Sequence, residues 1–332
     1  MSKVVITKAI PDDLVAEVLG DMQVVQGPTG TEWRLDEVEE HLTGCHGLVS
    51  WGFLRIDAAL LDRAPELRVV ANVAVGYDNL DVAEITRRGI WATNTPTDFA
   101  VPTAEVALGL MISVMRRIAE GERYVRDGAW HAPVPGRFDG PSLAGKTLGL
   151  IGFGSIAREV ALRARAFGMH IVYHARNRAA GTVEDRLGAE RLPLDELLTV
   201  ADVISLHVPL TEQTEGLIDA GALARMKPTA YLINTARGRV VDESALITAL
   251  QDGRLAGAGL DVFADEPVVP TALLALPNVA IAPHLGGASI EGRRAAQRTA
   301  LSNVRSVLFD GRAHTPVNRV SGEGRATASH EQ

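Results

Sequence analysis

Thr147-Leu148-Gly149-Leu150-Ile151-Gly152-Phe153-Gly154-Ser155-Ile156-Ala157 is the stretch on which the reading of this chain turns. Its first five residues form a short apolar run, and the next six carry the spacing Gly-x-Gly-x-x-Ala. Val160, Leu162, Ala164 and Phe167 then recur at helical spacing up to Gly168, a residue suited to the position just past a helix end. His170-Ile171-Val172-Tyr173 reads as a second strand. Strand, glycine turn, helix and strand within about thirty residues is the context that gives such a motif meaning. Gly152 permits a tight turn, and Gly154 lets backbone amides approach a pyrophosphate at the helix N-terminus. Ala157 stands where a third glycine is commoner. The alternative is a structural turn that happens to hold two glycines.

Dinucleotide sites for NAD usually place an acid at the end of the second strand, where it accepts the ribose hydroxyls. Here the chain reads Tyr173-His174-Ala175-Arg176-Asn177-Arg178, and the first later acid is Glu184. Two arginines suit a 2′-phosphate, which a guanidinium can grip with two hydrogen bonds. The expectation is NADP(H) as the preferred cofactor, with NAD(H) as the lesser one. Arg176 and Arg178 as plain solvated charges is the alternative.

Outward from this turn, short apolar runs alternate with helical patterns. Val4–Thr7, Gly47–Ser50, Arg68–Asn72 and Ile90–Thr93 read as strands, with helices at Pro11–Leu19, Asp57–Arg63 and Val82–Arg88. A second alternating series runs from Lys146 to about Pro283. Such alternation predicts parallel sheets with crossover helices, an α/β doubly wound architecture. Between the series lies one long helix, about Thr103 to Val125, apolar on nearly every side in its middle. It reads either as a core helix or as one lying at a domain or subunit boundary. The second is favoured, because proline and glycine in 128–140 then suit a wrapping arm. Ile290–Phe309 reads as a last helix, and residues 321–332, without an apolar pattern, are expected to be disordered.

With 332 residues, the chain has room for about two domains of roughly 150 residues. Hydrophobic residues make up 46% and charged residues 22%, as in ordinary globular proteins. A net charge of −8 argues against a general nucleic-acid binder, which needs basic faces to displace counterions. The single cysteine, Cys45, excludes an intrachain disulfide and a cysteine-cluster metal site, so no metal is expected. The apolar run at the N-terminus is too short for a signal peptide. No stretch approaches the roughly 18 apolar residues of a membrane span, so a cytoplasmic protein is expected.

Three later segments carry polar residues at the ends of apolar runs: Asn234-Thr235-Ala236-Arg237-Gly238, Leu260-Asp261-Val262-Phe263-Ala264-Asp265-Glu266-Pro267 and Pro283-His284-Leu285-Gly286. Ligands of open parallel sheets bind beyond the carboxyl ends of strands. Reducing a ketone requires a cationic donor for the substrate and an acid for the new alkoxide. The planar fork of Arg237 suits the first role. His284 suits the second, since histidine titrates near about 6.5. Glu266 would hold one imidazole nitrogen. Taken singly, each has a structural alternative, and spacing alone does not bring them together.

As a set, in this order, the segments resemble the D-isomer-specific 2-hydroxyacid dehydrogenase family, and within it the glyoxylate/hydroxypyruvate and 2-ketogluconate reductases. Val75-Gly76-Tyr77-Asp78-Asn79, Asn94-Thr95-Pro96, Thr103-Ala104-Glu105 and the nucleotide turn extend the likeness over nearly the whole chain. The resemblance implies a Rossmann-like cofactor domain, 99–287, inserted into a flavodoxin-like substrate domain made of 1–98 and 288–320. It implies Arg237 as the residue that binds and polarises a 2-oxo acid, His284 as acid/base and Glu266 as its tuner. Asp261 would contact the nicotinamide carboxamide. Gly152, Gly154, Ser155, Ile156, Arg176, Arg178, Val208, Pro209, Thr103, Thr235, Ala236 and Gly286 would lie along the cofactor. Amides of Val75 and Gly76 would take the substrate carboxylate. Trp51 or Phe53 would cover it, unless they pack in the domain core. A homodimer through the long helix and its arm is also implied. Phosphite dehydrogenases of the family carry lysine where this chain has Val75. Phosphoglycerate dehydrogenases favour NAD and often append regulatory domains. A non-enzymatic, cofactor-sensing co-repressor of the same fold keeps the trio but has long disordered extensions.

Overall fold

The computed structural model describes residues 1–320. The chain divides into two compact units, Met1–Phe99 with the segment from Ser289 onward, and Ala100–Ala288.

The first unit holds β1 (Lys3–Ile6), β2 (Gln23–Gln26), β3 (Cys45–Ser50), β4 (Val69–Asn72) and β5 (Trp91–Thr93) in the order β2-β1-β3-β4-β5, each pair parallel. This is a flavodoxin-type order. Its interior strands are short runs of Val, Leu and Ile, buried because helices cover both faces. Helix Ile290–Asp310 lies on β3 and β4, and Gly47 permits that approach: a Cβ there would meet Val304 at 2.8 Å. Val320, placed by the sequence at the edge of an unpatterned tail, packs partly against this core. The expected disorder of 321–332 lies outside the described residues.

The second unit continues with β6 (Thr147–Ile151), β7 (His170–His174), β8 (Ala189–Arg191), β9 (Val203–Leu206), β10 (Tyr231–Asn234), β11 (Gly257–Leu260) and β12 (Val279–Ile281). Their order is β12-β11-β10-β9-β6-β7-β8, all parallel. Chain order therefore reverses direction between β6 and β9, the topological switch point where such sheets bind ligands. The α/β expectation of two doubly wound sheets holds.

The single long helix does not. Helix Ala100–Met115 ends, and a separate helix Ile118–Arg126 follows. Arg117 breaks the run in a left-handed conformation (φ 53°), held by a fork onto Glu120 at 2.7 and 2.8 Å and by a bond to the Arg137 carbonyl at 2.8 Å. One face of the first helix is taken up by its own unit. Thr103, Ala104, Ala107, Leu108, Leu110, Met111, Val114 and Met115 are all buried in its own unit. A Cβ on Gly259 would meet Leu110 at 2.9 Å, so the glycines of β11 make room for it. The second helix has no buried residue.

Candidate active site

The register of the second sheet builds the site. Asn234 pairs with Leu260, and Leu260 with Ile281, so three strand ends stand side by side. The residues just past them are Arg237, Asp261 and His284.

Asn234 shapes the first loop. Its amide nitrogen donates to the Arg237 carbonyl at 2.9 Å, and its side-chain oxygen accepts from Ala236 N at 3.0 Å. Gly238 follows in closest contact with the next loop: a Cβ there would fall 1.9 Å from the Phe263 carbonyl carbon. The Arg237 loop and the Glu266 loop are thus pressed together through a position that admits no side chain.

Glu266 has one oxygen fixed by the Phe263 amide at 3.0 Å, and the other lies 2.6 Å from His284 Nδ1. Burial works to raise its pKa. The His284 hydrogen bond and charge, the Phe263 amide and the charge of Arg237 outweigh burial and hold the carboxyl below its ordinary range. The Nδ1 contact fixes the orientation of the His284 ring.

Asp261 is fully buried and anchors the histidine loop. Its carbonyl accepts from His284 N at 2.8 Å, and its carboxylate oxygens take the amides of Leu285 at 2.6 Å and Gly286 at 2.8 Å. These bonds hold His284 at φ 55°, a conformation an ordinary residue adopts only when its surroundings impose it. Each carboxylate oxygen of Asp261 thus takes one backbone amide, an anchoring duty that the sequence did not reveal. Burial pushes its carboxyl pKa up, against the two amide bonds. Thr103 Oγ1 closes the far side by donating to the Gly286 carbonyl at 3.0 Å.

At the switch point, Gly152 turns at φ 91°, and a Cβ on it would lie 2.4 Å from the His207 carbonyl oxygen. Only glycine fits. Gly154 is exposed with open space beside its Cβ position and caps helix Ser155–Ala166, whose first turn carries Ser155 and Ile156. Gly168 ends the region at φ 76°, the position expected for it. Val208 and Pro209 follow β9, and Val208 Cγ1 would stand 3.1 Å from a Gly152 Cβ. The Thr235 hydroxyl, beside Ala236, is buried with no partner among the described residues. An open amide-lined turn and an unsatisfied buried hydroxyl fit a bound dinucleotide.

The two arginines after β7 are not equivalent. Arg176 is exposed. Arg178 is paired with Glu184 at 2.9 Å, a contact that sequence distance does not reveal. In the first unit, Asn94 and Asn72 side chains hold the carbonyls of Val75 at 2.7 Å and Gly76 at 2.9 Å, which fixes the orientation of that loop's peptides. Trp51 is 8% exposed and packs in the core of its unit, the alternative stated for it, whereas Phe53 is 77% exposed. Glu32 was not singled out by the sequence. It fixes this stretch by accepting from Trp51 N at 2.7 Å and Leu54 N at 3.1 Å.

Residues 108–286 match the family described as D-isomer specific 2-hydroxyacid dehydrogenase, NAD binding domain. The chain is 43% identical over 309 residues to the glyoxylate reductase of Pyrococcus furiosus, covering 91% of each. The chain belongs to the D-isomer specific 2-hydroxyacid dehydrogenase family.

Solved dehydrogenases of this kind share its fold. One is the glyoxylate reductase of Paecilomyes thermophila, with TM-score 0.87, 33% identity, and coverage of 95% of this chain and 98% of that one. Another is the NADPH-dependent glyoxylate/hydroxypyruvate reductase of Sinorhizobium meliloti in complex with NADP and malonate. It matches with TM-score 0.84, 35% identity, and coverage of 95% and 96%. Among the described residues of this family member, no helix is long and apolar enough to cross a membrane, and no group of three or more His, Cys, Asp or Glu residues could hold a metal ion.

Proposed function

We propose that this chain reduces 2-oxo acids to D-2-hydroxy acids, with glyoxylate and hydroxypyruvate as the leading substrates and 2-ketogluconate as a larger candidate. The observation that carries the reading is the 2.6 Å contact of His284 Nδ1 with Glu266, on strand ends aligned with the Arg237 loop. The relatives' glyoxylate and hydroxypyruvate reductase activities support the substrate class.

A bound nicotinamide would supply the hydride. Arg237 would hold the substrate carboxylate and draw density from the carbonyl through its fork. His284 would give its outer proton to the forming alkoxide. Glu266, kept ionised, would offset the charge of the imidazolium before that transfer. Val75 and Gly76 amides would take the carboxylate. NADPH is the proposed cofactor over NADH, because the loop after β7 carries Arg176 and no acid in the ribose position.

The test is steady-state kinetics on a panel of 2-oxo acids with each cofactor. The expected result is turnover of glyoxylate and hydroxypyruvate with higher kcat/KM for NADPH. Inactivity on every member would favour the cofactor-sensing reading, and a higher kcat/KM with NADH would overturn the cofactor choice.

We also propose a homodimer, built on helix Ile118–Arg126 and the arm 128–140. Ile118, Val125 and Trp130 are 53, 52 and 59% exposed there, an apolar content a monomer gains nothing by showing. Light scattering should give the mass of two chains, and Ile118→Glu with Val125→Glu should give the mass of one.

A further inference from the structure

The loop after β7 is held by a buried carboxylate that arrives from the next helix. Glu184 is 8% exposed and sits in the first turn of helix Gly181–Leu187. It accepts the Tyr173 hydroxyl at 2.5 Å and takes Arg178 through Nε at 3.1 Å and Nη2 at 2.9 Å. The same Tyr173 oxygen accepts the Ala179 amide at 3.0 Å, so the tyrosine and the carboxylate close the loop from beneath. Arg191 Nη2 holds the carbonyls of Ala175 at 2.9 Å and Arg176 at 3.3 Å. The Tyr173 ring stacks on Phe153, between the two turn glycines, with centroids 3.9 Å apart. Turn and loop are therefore one packed assembly.

We propose that Glu184 limits the cofactor selectivity of this site by withholding Arg178 from the adenosine ribose. This rests on the reading above, in which the end of β7 faces that ribose. A phosphate approaching Arg178 meets an ion pair of no net charge, whereas Arg176, exposed and without a side-chain partner among the described residues, offers its full charge. Arg178, then Tyr173, hold the Glu184 carboxyl below the ordinary carboxylate range, so the pair persists at neutral pH. The Arg178 side chain is itself 70% exposed and can turn toward an anion once the carboxylate charge is gone. Glu184 is thus a positioning residue that acts through Arg178.

The test is calorimetric binding of 2′,5′-ADP and 5′-AMP to the full chain. Glu184→Gln keeps the shape and the acceptor for Tyr173 but removes the charge. Its preference for 2′,5′-ADP over 5′-AMP should rise about fivefold, the worth of one exposed charge pair. Adding Arg178→Ala to Glu184→Gln should abolish the gain. An unchanged or reduced preference in Glu184→Gln, or a gain that survives in the double variant, overturns the proposal. Should Glu184→Gln fold poorly, Arg178→Ala alone decides the matter. A preference within about twofold of wild type supports the proposal, and a loss as large as that of Arg176→Ala refutes it. The wild-type preference tests the NADP reading separately: a ratio at or below one removes that reading, while the predicted gain on Glu184→Gln stands.

Discussion

At the scale of single residues, the site is a set of side chains whose positions are imposed by backbone. His284 is held in its left-handed conformation by three bonds to Asp261 and oriented by Glu266. Replacing it with alanine should lower kcat by roughly 100- to 10,000-fold, the range of general acid catalysis, and leave NADPH binding nearly intact. Stopped-flow turnover beside fluorescence titration of NADPH checks this; unchanged turnover would remove His284 from the chemistry. Arg237→Lys keeps the charge and loses the planar fork. It should lower kcat/KM by roughly 10- to 100-fold, the worth of a charged hydrogen bond, and near-normal efficiency would mean that Arg237 acts through charge at a distance. The trio's residue types suit the reduction of a ketone, and the family resemblance singled them out in the sequence. Their meeting was not legible there, since it depends on the register of β10, β11 and β12. Nor was the structural duty of Asp261 or the return of Glu184 to Arg178, because both join residues that only folding brings together.

At the scale of elements, the interior strands were legible as continuous apolar runs, and what was missed has physical reasons. Gln23–Gln26 and Ala189–Arg191 are edge strands, covered on fewer sides, and so carry polar residues that mask them. The helix break at Arg117 left no trace because neither glycine nor proline marks it. Helix Ala100–Met115 is apolar nearly all round, and the glycines of β11 let one of its faces sink into the core of its own unit. Gly259→Ala should accordingly force Leu110 or Ile233 to shift and destabilise the second unit by about 1–3 kcal/mol. A fall in Tm in scanning calorimetry is the expected readout, and an unchanged Tm would show that the helix has room to move away.

At the scale of the whole chain, a half-buried histidine links stability to pH. Burial pushes the His207 imidazole, bonded to Ser205 Oγ at 2.9 Å, down to about 3. Its folded value lies below the ordinary 6.5, so between these limits the unfolded chain binds the extra proton. The contribution to stability is full above about pH 6.5 and is lost as pH falls toward 3, with a slope of at most about 1.4 kcal/mol per pH unit. Tm measured from pH 7 to 4 should therefore drop less steeply in His207→Gln than in the wild type; parallel curves would show that His207 takes up no proton on unfolding. A last consequence belongs to Gly238, whose missing side chain brings the Arg237 loop against the Phe263 backbone. With Asn234 bound on both its polar atoms, heredity has little freedom on either flank of Arg237. A saturation library across 234–238, selected for function, should return an almost empty column at 238 and a sparse one at 234.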